Sequence, residues 1–213
     1  MVKLIAFDLE TTGIDPFYDV PVSYQLGDKS GYINPGRPIP EQATAIHGIT
    51  NAMVADADIL EDGIVFLGVT LSMHWMAGYT VIGMNVSYDL TMVASQLQRF
   101  GYPPLVVGPV IDVLVIDRTF DKYRKGSRKL SALCEHYGVV LENAHTASAD
   151  AQACIEIYEK QVAKWPKLAE ITNHRMAEWY VRWLTGYAEW CTKNDREPIP
   201  KGRYSWPVHT NES

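Results

Sequence analysis

Phe7-Asp8-Leu9-Glu10-Thr11-Thr12-Gly13 closes the first apolar run of the chain, Val2-Lys3-Leu4-Ile5-Ala6-Phe7. That run is β-prone and carries apolar residues on both alternating faces, which predicts a strand covered on both sides. Asp8 and Glu10 then point to the same face, with Cα atoms about 7 Å apart at the rise of a strand. At an effective dielectric of about 20 their mutual repulsion is of order 2 kcal/mol before any desolvation is added. Two readings are open. Either the pair sits solvated at a frayed strand end with Thr11-Thr12-Gly13 as an ordinary turn, or a cation compensates it. All-oxygen ligands suit Mg²⁺ or Mn²⁺ better than Zn²⁺.

The rest of the chain bears on that choice. With 213 residues, 47% of them hydrophobic and 21% charged, it has the composition of a globular protein with one sizeable core and an appendage. The N-terminal run is interrupted by Lys3 and stopped by Asp8, so it does not read as a signal peptide. The stretch 63–78 contains His74 and is too short to span a bilayer. No membrane association is expected. Cys134, Cys154 and Cys191 are odd in number, widely spaced and form no CxxC, which argues against a disulfide framework and a zinc ribbon alike. A net charge of −6 is unlike that of a protein that coats nucleic acid, so any such contact must be local. Lys122, Arg124, Lys125, Arg128 and Lys129 cluster around Gly126-Ser127. They form either a solvated basic loop or phosphate contacts, the candidates being Arg124, Lys125, Arg128 and Lys129.

Two further strands are expected over 20–27 and 32–34, meeting at Gly-Asp-Lys-Ser-Gly. Short helices follow over 41–46 and after Asn51, and a longer one over 62–77. A strand over 79–84 leads to a helix opened by Asp89, in which Leu90, Val93, Ala94, Leu97 and Phe100 recur at helical spacing. A last strand over 110–113 precedes helices toward Phe120, over 129–137 and over 148–164. Three antiparallel strands followed by alternating strands and helices make an α/β layered plan with a mixed sheet. Pro166 marks a boundary. Beyond it Trp179, Trp183 and Trp190 lie on or near one helix face, and the tail after Asn194 is Pro-rich and irregular.

Asp89 is thereby placed at a strand-to-helix edge. Asp150 falls on the first turns of the 148–164 helix, five residues after His145. In order, Asp8-Leu9-Glu10-Thr11-Thr12-Gly13, Asn85 with Tyr88-Asp89, and His145 with Asp150 resemble the three motifs of the DnaQ-like DEDD exonucleases, in the subgroup with a histidine base. The match runs from Phe7 to about Ile157. Ile46-His47-Gly48-Ile49-Thr50 and Lys129-Leu130-Ser131-Ala132-Leu133-Cys134 are smaller echoes in the family's usual places. Two positions depart from the pattern: Met84 stands where a histidine often precedes the asparagine, and Tyr88 where a phenylalanine is usual.

The resemblance implies a ribonuclease H-like fold, a mixed five-stranded sheet flanked by helices, over 1–164. Residues 165–213, outside the match, would add an aromatic-rich helix and a tail, the helix packing on the core or on a second copy as a homodimer, with stacking of single-stranded bases as the alternative. It further implies a 3′-to-5′ exonuclease in which Asp8, Glu10, Asp89 and Asp150 hold two Mg²⁺ or Mn²⁺ ions about 4 Å apart. His145 would be the general base. Leu9, Thr11, Thr12, Gly13 and Ile14 would meet the terminal nucleotide on one side, and Ile46, His47, Asn85 and Tyr88 on the other. The expected substrate is single-stranded DNA or the 3′ end of duplex DNA, with RNA as the alternative, and a DNA polymerase is a candidate partner. The expected setting is the cytoplasm of a bacterial or phage-infected cell. A strand-end or polymerase-binding module without catalysis is the reading from another class.

Overall fold

The computed structural model describes residues 2–141, 147–197 and 199–212. They form strands β1 (Lys3–Thr11), β2 (Pro21–Leu26), β3 (Lys29–Asn34), β4 (Asp58–Ile59), β5 (Tyr79–Gly83) and β6 (Val110–Asp112). The helices are α1 (Glu41–His47), α2 (Asn51–Val54), α3 (Leu60–Met76), α4 (Val86–Arg99), α5 (Val113–Phe120), α6 (Leu130–Tyr137), α7 (Ala147–Lys164) and α8 (Asn173–Lys193). The sheet order is β4-β3-β2-β1-β5-β6. β1 to β3 are antiparallel neighbours, while β5, β6 and β4 join in parallel. The mixed sheet of the sequence reading is present, with one strand more than the five expected. The sixth is β4, whose two residues pair with Ile33 and Asn34 and are too few to leave a periodic signal.

Side-chain parity along β1 organises the molecule. Ile5, Phe7 and Leu9 enter a core with residues of α3 and α4, among them Ile64, Leu67, Leu90 and Val93. Ala6 faces the opposite core, with Val115 of α5, Leu133 of α6, Cys154 and Ile157 of α7, and Tyr180 of α8. Alternation along the strand therefore puts Asp8 and Glu10 on the side covered by α7. α7 crosses β1, β2 and β5, so the acidic end of β1 and the first turn of α7 meet by construction.

Local boundaries shift for identifiable reasons. The β2–β3 connection is a two-residue turn, because Leu26 pairs with Lys29 and Gly27 supplies the positive φ of 63° that such a hairpin needs. Thr50, not Asn51, caps α2, its hydroxyl accepting from Met53 N–H; the Asn51 side chain instead accepts from Ile39 N–H at 2.8 Å. α4 starts at Val86, a turn earlier than Asp89, after Asn85 in the left-handed region at φ 56°, which asparagine tolerates. Asp112 caps α5, its Oδ1 accepting from Leu114 and Val115 N–H and from Asn85 N–H. The three cysteines are buried free thiols, and no described helix is long and apolar enough to cross a membrane.

The basic loop differs from expectation, whereas the aromatic helix packs on the core, one of its two expected places. Arg124 and Arg128 turn inward and pair with Asp117, which is fully buried and also accepts from Tyr137 Oη at 2.9 Å. Those two guanidinium groups fasten the loop to α5 and are not displayed to solvent for phosphate, whereas Lys125 and Lys129 are exposed. Met176, Tyr180 and Leu184 of α8 are buried in the core shared with α5 and α7. Trp179 and Trp183 pack against the same core from the helix flank, while Trp190 stays exposed. Removing the carboxylate from a buried ion network leaves uncompensated guanidinium groups, so Asp117→Ala is expected to lower unfolding free energy by about 3–5 kcal/mol in a denaturant titration. A loss below about 1 kcal/mol would show that the network contributes no more than a surface pair.

Candidate active site

Asp8, Glu10 and Asp150 bring carboxylate oxygens within 4.8 Å of one another. Asp89 approaches from α4 on the other side of the sheet and accepts from Leu9 N–H at 3.1 Å through Oδ1. β1 pairs with β5 only as far as Ala6, so Asp89 takes a backbone donor beyond the end of that ladder. This bond fixes Asp89 beside Asp8 without a connecting strand. His145 lies outside the described residues.

The electrostatics of Asp8, Glu10 and Asp89 are those of buried, crowded acids. Burial, then the neighbouring Asp89, Glu10 and Asp150, push the Asp8 carboxyl well above the usual carboxylate range. Burial and Asp150 raise Glu10 to about 7. Burial also raises Asp89, against the opposing pull of Leu9 N–H. None of the described lysines or arginines pairs with Asp8, Glu10 or Asp89. A second acidic group provides the contrast. Asp117, Asp121 and His136 also lie close together, but Arg124 and Arg128 neutralise Asp117, and His136 and Lys164 pair with Asp121 at 2.8 and 3.2 Å. Although burial opposes it, hydrogen bonds from His136 and Lys164 hold the Asp121 carboxyl below its ordinary value. The first group fits divalent cations in donor type, and no described lysine or arginine pairs with its Asp8 or Glu10; the second is already compensated.

A cavity of about 660 Å³ opens beside Glu10, lined by Thr11 to Ile14, Ala43, Ile46, His47, Asn85, Tyr88 and Arg203. It collects almost every residue that the sequence assigned to the terminal nucleotide. Ile14 and Ile46 are 90% and 61% exposed: large apolar side chains held in water at a cavity rim, not core residues. His47 accepts from Ile49 N–H at Nδ1, which leaves Nε2–H to donate to the Thr11 carbonyl at 3.3 Å. Burial lowers its pKa and favours this neutral form. Tyr88 donates to the Gly13 carbonyl at 2.5 Å and meets the Thr11 hydroxyl at 3.2 Å. Its hydroxyl, absent from the more usual phenylalanine, ties α4 to the segment after β1.

Two assigned residues are placed differently. The Leu9 side chain is buried under α3 and α4, so only its backbone serves the site. Thr12 is buried and its hydroxyl is engaged by Asp19, Val20 N–H and Arg37. One residue was not foreseen. Arg203 comes from the C-terminal tail, which folds back so that His209 N–H donates to Thr91 Oγ1 of α4 at 2.9 Å and Trp206 packs against both cores. No periodicity marks that return; an arginine between Gly202 and an aromatic pair was its only trace.

A ribonuclease H-like sheet with a carboxylate cluster at the end of its central strand defines a class of nuclease folds. Residues 5–158 match the RNase_T family model, described as Exonuclease, and the chain belongs to that family. It is 28% identical over 180 residues to the PolC-type DNA polymerase III of Staphylococcus haemolyticus and 28% over 179 residues to that of Staphylococcus aureus. The alignment takes in 80% of this chain and 12% of either polymerase. Among solved structures, Escherichia coli ExoI bound to single-stranded DNA superposes with a TM-score of 0.65 at 20% identity, over 80% of this chain and 42% of that one. Exonuclease X in complex with 5′-overhanging duplex DNA gives 0.58 at 21% identity, over 83% and 98%. These structural likenesses are likenesses of fold.

The raised carboxyls have a thermodynamic consequence. Between pH 4.5 and about 7 the folded chain keeps a proton on Glu10 that the unfolded chain has released. Folding then takes up protons, and stability falls as pH rises through that window. In chelator, Glu10→Gln is expected to gain thermal midpoint over the parent as pH is raised from 4.5 to about 7, and Mn²⁺ at the upper pH is expected to reverse the order. A difference that stays constant with pH would contradict the electrostatic account.

Proposed function

We propose that the chain is a metal-dependent 3′-to-5′ exonuclease that releases 5′-mononucleotides from DNA. Residues 1–164 carry catalysis, and residues 165–213 complete the core and the pocket. The observation that carries this reading is the convergence of Asp8, Glu10 and Asp150, with Asp89 beside them, where Glu10 opens onto a cavity of about 660 Å³ rimmed by Ile14 and Ile46. Family membership supports the chemistry. The DNA named with the exonuclease I and exonuclease X structures, and the polymerases among the relatives, support the substrate. The chain spans 12% of the length of those polymerases, so action at a polymerase's 3′ end, as proofreading or as trimming during repair, is part of the proposal.

Asp8, Glu10, Asp89 and Asp150 would hold two Mg²⁺ or Mn²⁺ ions, which when bound stabilise the attacking and leaving oxygens of a phosphodiester displacement. Ile14 and Ile46 offer apolar surface to any terminal base, as a sequence-independent enzyme requires. Tyr88 and His47 hold the Thr11–Gly13 backbone that forms the cavity floor. Arg203 supplies the guanidinium of the lining and would take a phosphate oxygen. His145, five residues before Asp150, would accept the proton of the attacking water, a role suited to a group titrating near neutrality.

End-labelled DNA and RNA oligomers with free and blocked 3′ termini test the reading. Mononucleotide release from the free 3′ end of DNA is expected, and inactivity on both polymers with Mn²⁺ present would reduce the chain to a binding module. Asp8→Ala and Asp150→Ala should lose nearly all activity, and His145→Ala about 10²–10⁴-fold. Arg203→Ala should weaken substrate binding by about 10–100-fold, the worth of one charge-assisted hydrogen bond, with Arg203→Lys intermediate. An unchanged KM in Arg203→Ala would remove that residue from the site.

A further inference from the structure

α8 and α5, with the segment after α5, enclose a second cavity of about 500 Å³, lined among others by Arg118, Lys122, Arg128, Arg182, Trp183 and Tyr187. No aspartate or glutamate lines it, in a chain whose net charge is −6. Arg128 is already neutralised by Asp117. Arg118, Lys122 and Arg182 make no ion pair with a carboxylate among the described residues, although the charges of Asp112 and Asp117 reach Arg118 from beneath. The Arg118 guanidinium carbon lies over the Trp183 ring, 3.5 Å from its centroid. That contact uses the ring face and not the N–H donors of the guanidinium, which are made for oxygen acceptors; no described residue accepts a hydrogen bond from them. The aromatic series continues along α8. Trp183 and Tyr187 are 5.4 Å apart and within 7° of parallel, and Tyr187 and Trp190 are 5.8 Å apart and within 13°. Tyr187 and Trp190 remain 40% and 46% exposed.

We propose that this cavity binds the phosphate backbone of single-stranded nucleic acid, outside the carboxylate pocket, with Arg118, Lys122 and Arg182 on the phosphates and the exposed Tyr187 and Trp190 beside the adjoining bases. A planar guanidinium fork matches phosphate oxygens, and aromatic side chains alongside cations are a sequence-tolerant platform for a strand. An acidic peptide would satisfy the cations but leave the aromatic ladder without a role. The sequence hinted at both halves separately, the basic loop and the Trp-rich helix; the fold joins them at one cavity while assigning Arg124 to Asp117. The proposal rests on the reading of the chain as an enzyme of nucleic-acid strands, and its test separates the two.

Binding of labelled oligothymidylate to the full chain is measured in EDTA, where hydrolysis plays no part, by fluorescence anisotropy over a range of salt. Lys122→Glu/Arg182→Glu is expected to weaken binding at least about tenfold near 0.1 M salt. The milder Lys122→Gln/Arg182→Gln should lower the slope of log affinity against log salt by about 1.4, or about 0.7 per single-strand phosphate contact. That variant decides the matter if the charge reversal impairs folding. A charge-matched control, Lys3→Glu/Arg99→Glu at exposed positions away from the cavity, should lose far less. Equal loss in both charge-reversed pairs, or an unchanged slope in the glutamine pair, overturns the proposal. So does a polyglutamate peptide whose affinity falls in the variants while that of the oligonucleotide does not. Failure of the parent chain to cleave DNA or RNA with Mn²⁺ counts against the nuclease reading alone, because strand binding in EDTA is scored independently.

Discussion

Asp8 and Glu10 stand on the face of β1 that α7 covers, and the first turn of α7 carries Asp150. Strand parity and helix placement together drive three carboxylates to within 4.8 Å in a partly dehydrated corner. Nothing in the packing of either core requires acids there, since Ala6, one step earlier on the same face, is an ordinary core residue. Carboxyls crowded this way must take up protons or gather cations. The group around Asp117 and Asp121 shows that this chain supplies arginine, histidine or lysine where it intends an internal ion pair. At Asp8 and Glu10 it supplies none among the described residues, and the elevated pKa values follow.

The remaining parts of the site hang on that corner. α4, on the opposite side of the sheet, reaches it through the bond from Leu9 N–H to Asp89 and holds the following segment through Tyr88. Asp112 closes a further link by accepting from Asn85 N–H while capping α5, so the ends of β5 and β6 are tied next to the second motif. The C-terminal tail then brings Arg203 to the cavity wall. On the proposed function, a positive side chain there would orient an anionic substrate without neutralising the acids beneath it.

Much of this was legible in the sequence because it depends on period and order. The alternation of Leu4, Ile5, Ala6 and Phe7 fixed the covered strand. The spacing of Leu90, Val93 and Leu97 fixed α4, and the succession of three acidic motifs fixed the family and hence the sheet. What escaped depends on partners distant in the chain. Arg124 and Arg128 look like surface cations until Asp117 is seen buried beneath them. Thr12 looks available until Asp19 and Arg37 are found on its hydroxyl. β4 is too short to carry a pattern, and the return of 201–212 to α4 depends on Trp206, Gly202 and His209, none of which belongs to a periodic run. The departure at Tyr88 was visible as a substitution, and its reason, a hydroxyl on the Gly13 carbonyl, only in three dimensions.

The central claim is that the four carboxylates form a site for divalent cations. Calorimetric titration of the metal-free chain with Mn²⁺ near neutral pH tests it most directly. Binding of two ions per chain is predicted, with release of the protons held on the raised carboxyls, and with loss of both features in Asp8→Asn. Absence of saturable Mn²⁺ binding in the parent chain, or binding that Asp8→Asn leaves unchanged, would contradict it.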